Sequence, residues 1–202
     1  LNNHKIILFY GKNEGLKKES INLILKNLKE TSTYEEKEIL DNSKTFLENI
    51  SSKSLFEKER SIIIKRATDK IMNILEEIIS KNYDDVIIIN ASNLEKKSKL
   101  RSFFEKSKKH ICVAFYPDNQ QTLLKLGVNF FQKKNISISQ SNINLIVNKC
   151  NGDRENLNNE LKKIEQFSQN GKKITIDSLV KLINLSENHS ISELVDNCLA
   201  KN

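Results

Sequence analysis

Short, unbroken apolar runs constrain this chain more than any other feature. They are Ile6-Ile7-Leu8-Phe9-Tyr10, Ile62-Ile63-Ile64 after Ser61, Val86-Ile87-Ile88-Ile89, and Ile111-Cys112-Val113-Ala114-Phe115-Tyr116. Each is short for a helix, and none alternates with polar residues, so they read as strands buried on both faces. Between them the apolar residues fall at helical spacing. Leu16, Leu23, Ile24 and Leu28 point inward on a helix over 16–28; Phe46, Leu47 and Ile50 mark a short helix; Ile71, Ile74, Leu75, Ile78 and Ile79 mark another. Residues 34–40 are read as a further strand. Strands alternating with helices predict an α/β fold, a mostly parallel sheet covered on both faces.

Past residue 121 the strand signal stops. Helices are expected over 123–131, through Ile143, Ile146, Val147 and Cys150, and through Leu157, Leu161, Ile164 and Phe167. Asp153 is the expected N-cap of the last of these. Gly171 breaks the pattern, and Ile176, Leu179, Val180 and Ile183 begin a fourth helix. The expected organisation is an α/β domain over 1–121, a small helical bundle over 122–187 and a further segment over 188–202, with a helix over 191–199. A chain of 202 residues has material for these cores.

No apolar run approaches the roughly 18 residues of a membrane-spanning helix. The opening run is too short for a secretory leader, so a cytoplasmic location is expected. Cys112, Cys150 and Cys198 then read as reduced thiols. His4, His110 and His189 are equally scattered, and no close ligand pair suggests a metal.

The net charge of +7 favours an acidic partner, nucleic acid or a protein face. Lysine outnumbers arginine 29 to 4, which weakens any case for base-edge readout. The excess is local. From Lys96 to Lys109 seven residues are basic, and only Glu105 is acidic. On a helix over 96–109, Leu100, Phe103 and Phe104 share one face and most of the basic residues the other. That pattern fits a solvated face over a buried stripe; it also fits a nucleic-acid or partner contact through Lys96, Lys97, Lys99 and Arg101.

The first strand and its glycine turn stand where a nucleotide-hydrolysing fold carries its phosphate cradle. That cradle needs G-x-x-x-x-G-K-[ST], so that backbone N–H groups, a lysine and a hydroxyl hold phosphates and Mg²⁺. The stretch here is Gly11-Lys12-Asn13-Glu14-Gly15-Leu16-Lys17-Lys18. With Gly15 as the second glycine, the spacing is one short, Leu16 replaces the lysine, and no Ser or Thr follows. Glu14 adds a negative charge. The strand over 86–89 ends Asn90-Ala91-Ser92, without the carboxylate that would hold Mg²⁺. The layout resembles an NTPase without its catalytic groups, so no cofactor is expected. Asp84-Asp85 reads as a turn, Glu35-Glu36 and Glu76-Glu77 as solvated surface. Neither a G-x-S-x-G elbow nor an H-E-x-x-H helix occurs.

A binding role has better candidates. Ser54-Leu55-Phe56 sets two large apolar residues between Lys53 and Glu57. They are either ordinary core or an exposed plug for a partner's pocket.

Taken in order, these segments resemble the delta subunit family of the bacterial DNA polymerase III clamp loader. Lys5 to Lys17 is similar to the family's opening, and Ser54-Leu55-Phe56 falls where the family has its clamp-binding element. Leu94-Glu95-Lys96-Lys97-Ser98-Lys99-Leu100-Arg101 resembles the segment after the central strand. Gly152-Asp153-Arg154 with Glu160-Leu161-Lys162-Lys163-Ile164 resembles a second-domain signature. Ile174-Thr175-Ile176-Asp177 and Leu194-Val195-Asp196 follow in the family's order. The resemblance implies an AAA+/RecA-like sheet domain without a nucleotide site, a lid-like bundle and, over 188–202, the start of a truncated helical collar. It implies a subunit without activity of its own. Its partners would be the sliding clamp (beta subunit), the gamma/tau and delta-prime loader subunits and, through the complex, primed DNA. Leu55 and Phe56 would insert into the clamp's hydrophobic pocket. Lys53 departs from the apolar residue that often precedes them. A divergent AAA+ ATPase and a lysine-rich DNA-binding module are the alternatives. The related delta-prime subunit usually carries a zinc-binding cysteine cluster, which this sequence lacks.

Overall fold

In the computed structural model the residues described are 6–26, 28, 30–51, 60–81, 85–169, 174–183 and 199. The chain divides into two compact units, 1–117 and 118–202. The expected boundary after residue 121 falls inside a helix of the second unit, Gln120–Lys133.

In the first unit, β1 (Ile6–Gly11), β2 (Glu30–Glu35), β3 (Arg60–Ala67), β4 (Val86–Ala91) and β5 (Ile111–Phe115) form one sheet in the order β2-β3-β4-β1-β5. Every pairing is parallel, with Leu8 of β1 opposite Ile89 on one side and Cys112 on the other. The helices between strands are α1 (Glu14–Leu25), α2 (Glu36–Asp41), α3 (Ser43–Ser51), α4 (Met72–Ser80) and α5 (Lys99–Lys106).

The apolar runs are unbroken because successive side chains enter different cores. Ile6, Leu8 and Tyr10 join Ile62, Ile64, Ile87 and Ile89 in a core with Phe46, Ile50, Leu75, Leu100 and Phe104. Ile7 and Phe9 face the other way, to Ile21, Ile63, Ile88 and Phe115. A strand with period-two side chains and a core on each face has no position to spare for a polar residue.

Three expectations in this unit are corrected. The second strand lies at 30–35 rather than 34–40. It is a polar edge strand, Glu-Thr-Ser-Thr-Tyr-Glu, and lacks the apolar run that betrays a central strand. The chain turns into α2 directly at Glu36, where Glu35 and Glu38 form a capping box. The first helix spans 14–25 rather than 16–28, and it buries Ile21 while Leu23 is 63% exposed. The basic helix covers only 99–106 of the expected 96–109.

The second unit contains α6 (Gln120–Lys133), α7 (Gln140–Lys149), α8 (Arg154–Gln169) and α9 (Ile176–Leu182). Leu123, Phe131, Ile143, Ile146, Val147, Leu157, Leu161, Ile164 and Leu179 form their common core. Gly127 lets α6 approach α7, since a Cβ there would meet Ile143 at 3.0 Å. Asp153 caps α8 as expected, its Oδ1 accepting from the Asn156 N–H at 3.0 Å. The stripe expected on α9 is split: Leu179 and Ile183 are buried, but Ile176 and Val180 are exposed. Gly171 and the expected segment 188–202, apart from Leu199, lie outside the described residues.

Candidate functional site

The carboxyl edge of the sheet is where a parallel α/β fold places ligands. Gly11 ends β1 with a φ of +122°, and its N–H donates to the Ser92 carbonyl at 3.0 Å. A Cβ here would lie 2.2 Å from the Phe115 carbonyl oxygen. The glycine therefore serves the close approach of β1 and β5. Asn13 caps α1: its Oδ1 accepts from the Leu16 N–H at 3.0 Å, and its Nδ2 donates to the Tyr116 carbonyl at 2.9 Å.

Lys17 is the unexpected residue. It is 1% exposed, and its Nζ donates to Glu14 Oε1 and to the Ala91 carbonyl at the tip of β4, each at 2.7 Å. The reading in which Leu16 replaces the cradle lysine is thus corrected. Counted from Gly11, Lys17 has the motif's lysine spacing; Leu16 stands at the second glycine and Lys18 at the hydroxyl. The ammonium is committed to protein oxygens at the position where it would otherwise meet a phosphate.

The neighbouring strand tips supply no metal-binding carboxylate. β4 ends Asn90-Ala91, followed by Ser92; β3 ends through Lys65 and Arg66. Arg66 has a φ of +55° at a shift in the β3–β4 register, and its Nε lies 3.3 Å from Glu35 Oε2. A cavity of about 320 Å³ opens here, lined by Glu14, Glu35, Lys65, Arg66, Asn90, Ala91 and Ser92. Its two acids face its two bases, so it has no net charge to attract a polyphosphate. Glu36, expected in solvent, is buried, with its carboxylate accepting from the Thr68 N–H and hydroxyl.

The basic stretch is divided by the fold. Lys96, Lys97 and Lys99 are exposed, and Lys97 pairs with Glu95 at 3.0 Å. Arg101 turns away from them. Its Nε donates to Glu105 at 2.8 Å and its Nη1 to the Leu94 carbonyl at 3.1 Å, while its guanidinium carbon lies 5.0 Å from the Tyr10 ring centroid. Tyr10 closes the cluster by donating its hydroxyl to Glu105 at 3.2 Å. Burial, then that hydrogen bond, raises the tyrosine pKa; the bond from Arg101 lowers that of Glu105.

The start of α5 is fastened from outside the helix. One carboxylate, Asp69, accepts from the Ser98 hydroxyl at 2.6 Å and from the Lys99 and Leu100 N–H groups at 3.0 Å each. The Ser98 bond is the main cause that holds the Asp69 carboxyl below its usual range.

Ser54, Leu55 and Phe56 lie outside the described residues; Ser51 and Arg60 are the described residues that flank their segment. Asp85, read as part of a turn, is buried and accepts from Arg60 at 3.1 Å. Burial pushes the Cys112 and Cys150 thiols up to about 11, so neither is a ready nucleophile. Among the described residues no cluster of His, Cys, Asp and Glu could hold a metal, and no helix is long and apolar enough to cross a membrane.

Sequence reasoning missed Lys17, Asp69 and the Arg60–Asp85 pair. For Lys17 the signal was present in its spacing from Gly11. Asp69 and Asp85 carry none, since their partners lie about 30 and 25 residues away.

The family model for the DNA polymerase III delta subunit matches residues 7–116. A Rickettsia prowazekii protein described as "Probable DNA polymerase III subunit delta" is 22% identical over 182 residues, 89% of this chain and 56% of that protein. The Bacillus subtilis DNA clamp loader delta protein is similar in fold, with a TM-score of 0.57 and 18% identity over 91% of this chain and 59% of that one. A Thermotoga maritima RuvB Holliday junction branch migration motor has a TM-score of 0.58 at 13% identity, covering 91% of this chain and 61% of that one. Domain III of the Thermotoga maritima replication initiation protein DnaA has a TM-score of 0.53 at 13% identity, covering 89% and 83%. The chain spans 56–59% of the length of its two delta relatives.

Proposed function

The chain belongs to the DNA polymerase III delta subunit family, and from that premise we propose that it binds the sliding clamp and opens the ring for loading onto primed DNA, without itself hydrolysing ATP. The observation that carries this reading is the state of the phosphate-cradle position. Lys17 is held by Glu14 and Ala91, Leu16 stands at the cradle glycine, and Lys65 and Arg66 stand at the tip of β3. A phosphate approaching this turn would meet the Glu14 carboxylate and an ammonium already engaged. The fold is retained and the chemistry is not, which suits a subunit that works by binding.

On this reading Leu55 and Phe56 insert into a hydrophobic pocket on the clamp, with Ser54 leading the pair. Opening follows from linkage: a ligand shifts an equilibrium only by its differential affinity for two states. The delta chain would prefer the protomer shape that a closed ring does not allow. ATP bound by the gamma/tau subunits would drive the loading cycle, with delta-prime completing the loader. The site of action is the cytoplasm.

The test is binding of the chain to its cognate clamp beside the Leu55→Ala/Phe56→Ala variant. Hot-spot truncations cost about 2 kcal/mol or more each, so the folded variant should lose binding by at least a hundredfold. Equal binding by the two would remove the anchor assignment.

A second reading is a DNA contact through Lys96, Lys97 and Lys99, favoured by their exposure at one end of α5. Arg101 would contribute only by leaving Glu105 and Tyr10. Such binding should fall steeply with salt, with a log–log slope of roughly −0.9 per phosphate neutralised on duplex DNA. Apolar anchoring on a clamp should be much less salt-sensitive.

A further inference from the structure

The segment proposed to carry the clamp anchors, 52–59, leaves α3 after Ser51 and enters β3 at Arg60. Both of its feet are tied to one side chain. The Arg60 guanidinium donates through Nη1 to the Asn49 carbonyl at 3.4 Å and through Nη2 to the Ile50 carbonyl at 3.0 Å, in the last turn of α3. The same Nη2 donates to Asp85 Oδ2 at 3.1 Å. Asp85 directly precedes β4, the neighbour of β3, and its side chain is only 2% exposed; that of Arg60 is 15% exposed.

Each part has a physical reason. The last carbonyls of a helix lack intrahelical partners and attract a cation. Only a planar fork reaches two successive carbonyls and a carboxylate together; the point charge of lysine does not. Asp85 neutralises the guanidinium where solvent cannot. The result is a single bolt joining the end of α3, the start of β3 and the approach to β4.

We infer that Arg60, held by Asp85, is a positioning residue for clamp binding: it fixes both feet of segment 52–59, so that Leu55 and Phe56 are presented ready for the clamp pocket. The inference rests on the anchor assignment made above. Fixing the ends of a short segment removes ordering cost from the binding step. Releasing them lowers the fraction of chains competent to bind, and apparent affinity falls by that fraction. The loss should therefore appear in the association rate. Losing an anchor, by contrast, removes contacts from the formed complex and should appear in the dissociation rate.

The experiment measures association and dissociation of the 202-residue chain on immobilised cognate clamp. It compares wild type, Leu55→Ala/Phe56→Ala, and Arg60→Gln/Asp85→Asn, which removes both charges and so leaves neither buried alone. Folding of each is checked by circular dichroism. The charge-free variant should associate about tenfold more slowly, as expected when a preorganised loop is loosened, and dissociate at the wild-type rate. Arg60→Lys keeps the charge beside Asp85 but gives up the fork; it should show a smaller loss of the same kind, and it serves alone if the double variant does not fold. A purely structural role would lower the melting temperature and leave the association rate of the folded protein unchanged, and that result overturns the inference. If the wild type binds, the anchor variant does not, and the Arg60 variants behave as wild type, the inference falls and the anchor assignment stands. If the wild type does not bind, or the anchor variant binds as well as wild type, the anchor assignment falls and takes the inference with it.

Discussion

Lys17 and Arg60 are both buried cations, set at opposite ends of the same parallel sheet. Lys17 lies at the carboxyl end, bonded to the carbonyl that closes β4; Arg60 lies at the amino end, bonded to the carboxylate that precedes β4. Each contacts one acid and at least one main-chain carbonyl. The difference lies in what the cation joins. Lys17 joins the first turn of its own helix to a strand tip, and so fills the space in which this kind of fold receives phosphate. Arg60 joins two elements flanking a segment that carries apolar residues into no described core. One end of the sheet is closed by its cation; the other is braced by its cation around a connection. A lysine, a compact charge with rotatable donors, suffices for the first task, and a rigid fork is needed for the second.

The partners differ in burial as well. Asp85 is 2% exposed, whereas the Glu14 side chain is 55% exposed. The largest effect is therefore expected at the amino end. Asp85→Ala leaves Arg60 without its counter-charge and should cost about 4 kcal/mol in chemical denaturation. A cost below that of Glu14→Ala would break the comparison. At the carboxyl end, Gly11→Ala would push a methyl group into the Phe115 carbonyl at a φ of +122°. It should cost about 3 kcal/mol. A neutral result would return that glycine to a role in ligand binding rather than in strand packing. Lys17→Met should cost only about 1 kcal/mol, because the apolar stem is kept and the main loss is the bond to Ala91. It should leave clamp binding untouched, which separates closure of the old site from the working end.

The smallest effect concerns α5. Asp69→Ala removes the acceptor for Ser98, Lys99 and Leu100 and should cost about 1 kcal/mol, the usual range for a lost helix cap. The pH dependence has a defined sign. The Asp69 carboxyl sits below its usual value in the folded chain. Its contribution is then complete above the unfolded value of about 3.9 and disappears as pH falls through the folded value. Wild type and Asp69→Ala should differ at pH 6 and converge toward pH 2. A difference that persists at pH 2 would show that the carboxylate charge is not what holds the helix start.

The sequence reveals what is repeated and local. Ile6 to Tyr10 and Val86 to Ile89 announce buried parallel strands because both faces of each are covered, and the helical stripe of Leu157, Leu161 and Ile164 announces a bundle helix. It hides what depends on position in the sheet. The edge strand β2 is polar, so its residues look like a loop, and its strand character comes from pairing with β3. It also hides partners brought from afar. The basic character of Arg101 suggested an outward contact, but Tyr10, some 90 residues earlier, provides a ring for it to lie on. Glu36 looks like surface until Thr68 closes over it. The catalytic emptiness of the phosphate turn was legible in Leu16 and Lys18; the filling of that turn by Lys17 was not, because Ala91 reaches it only through the β1–β4 pairing.

The account's central claim is that the working end of this chain is the segment between α3 and β3, and that the phosphate turn takes no nucleotide. The most direct measurement is a calorimetric titration of the chain with its cognate clamp, run with and without Mg-ATP, beside a titration with Mg-ATP alone. The account predicts saturable clamp binding with the same affinity in both buffers and no saturable heat from the nucleotide. Saturable nucleotide binding, or clamp binding that requires it, would contradict the claim.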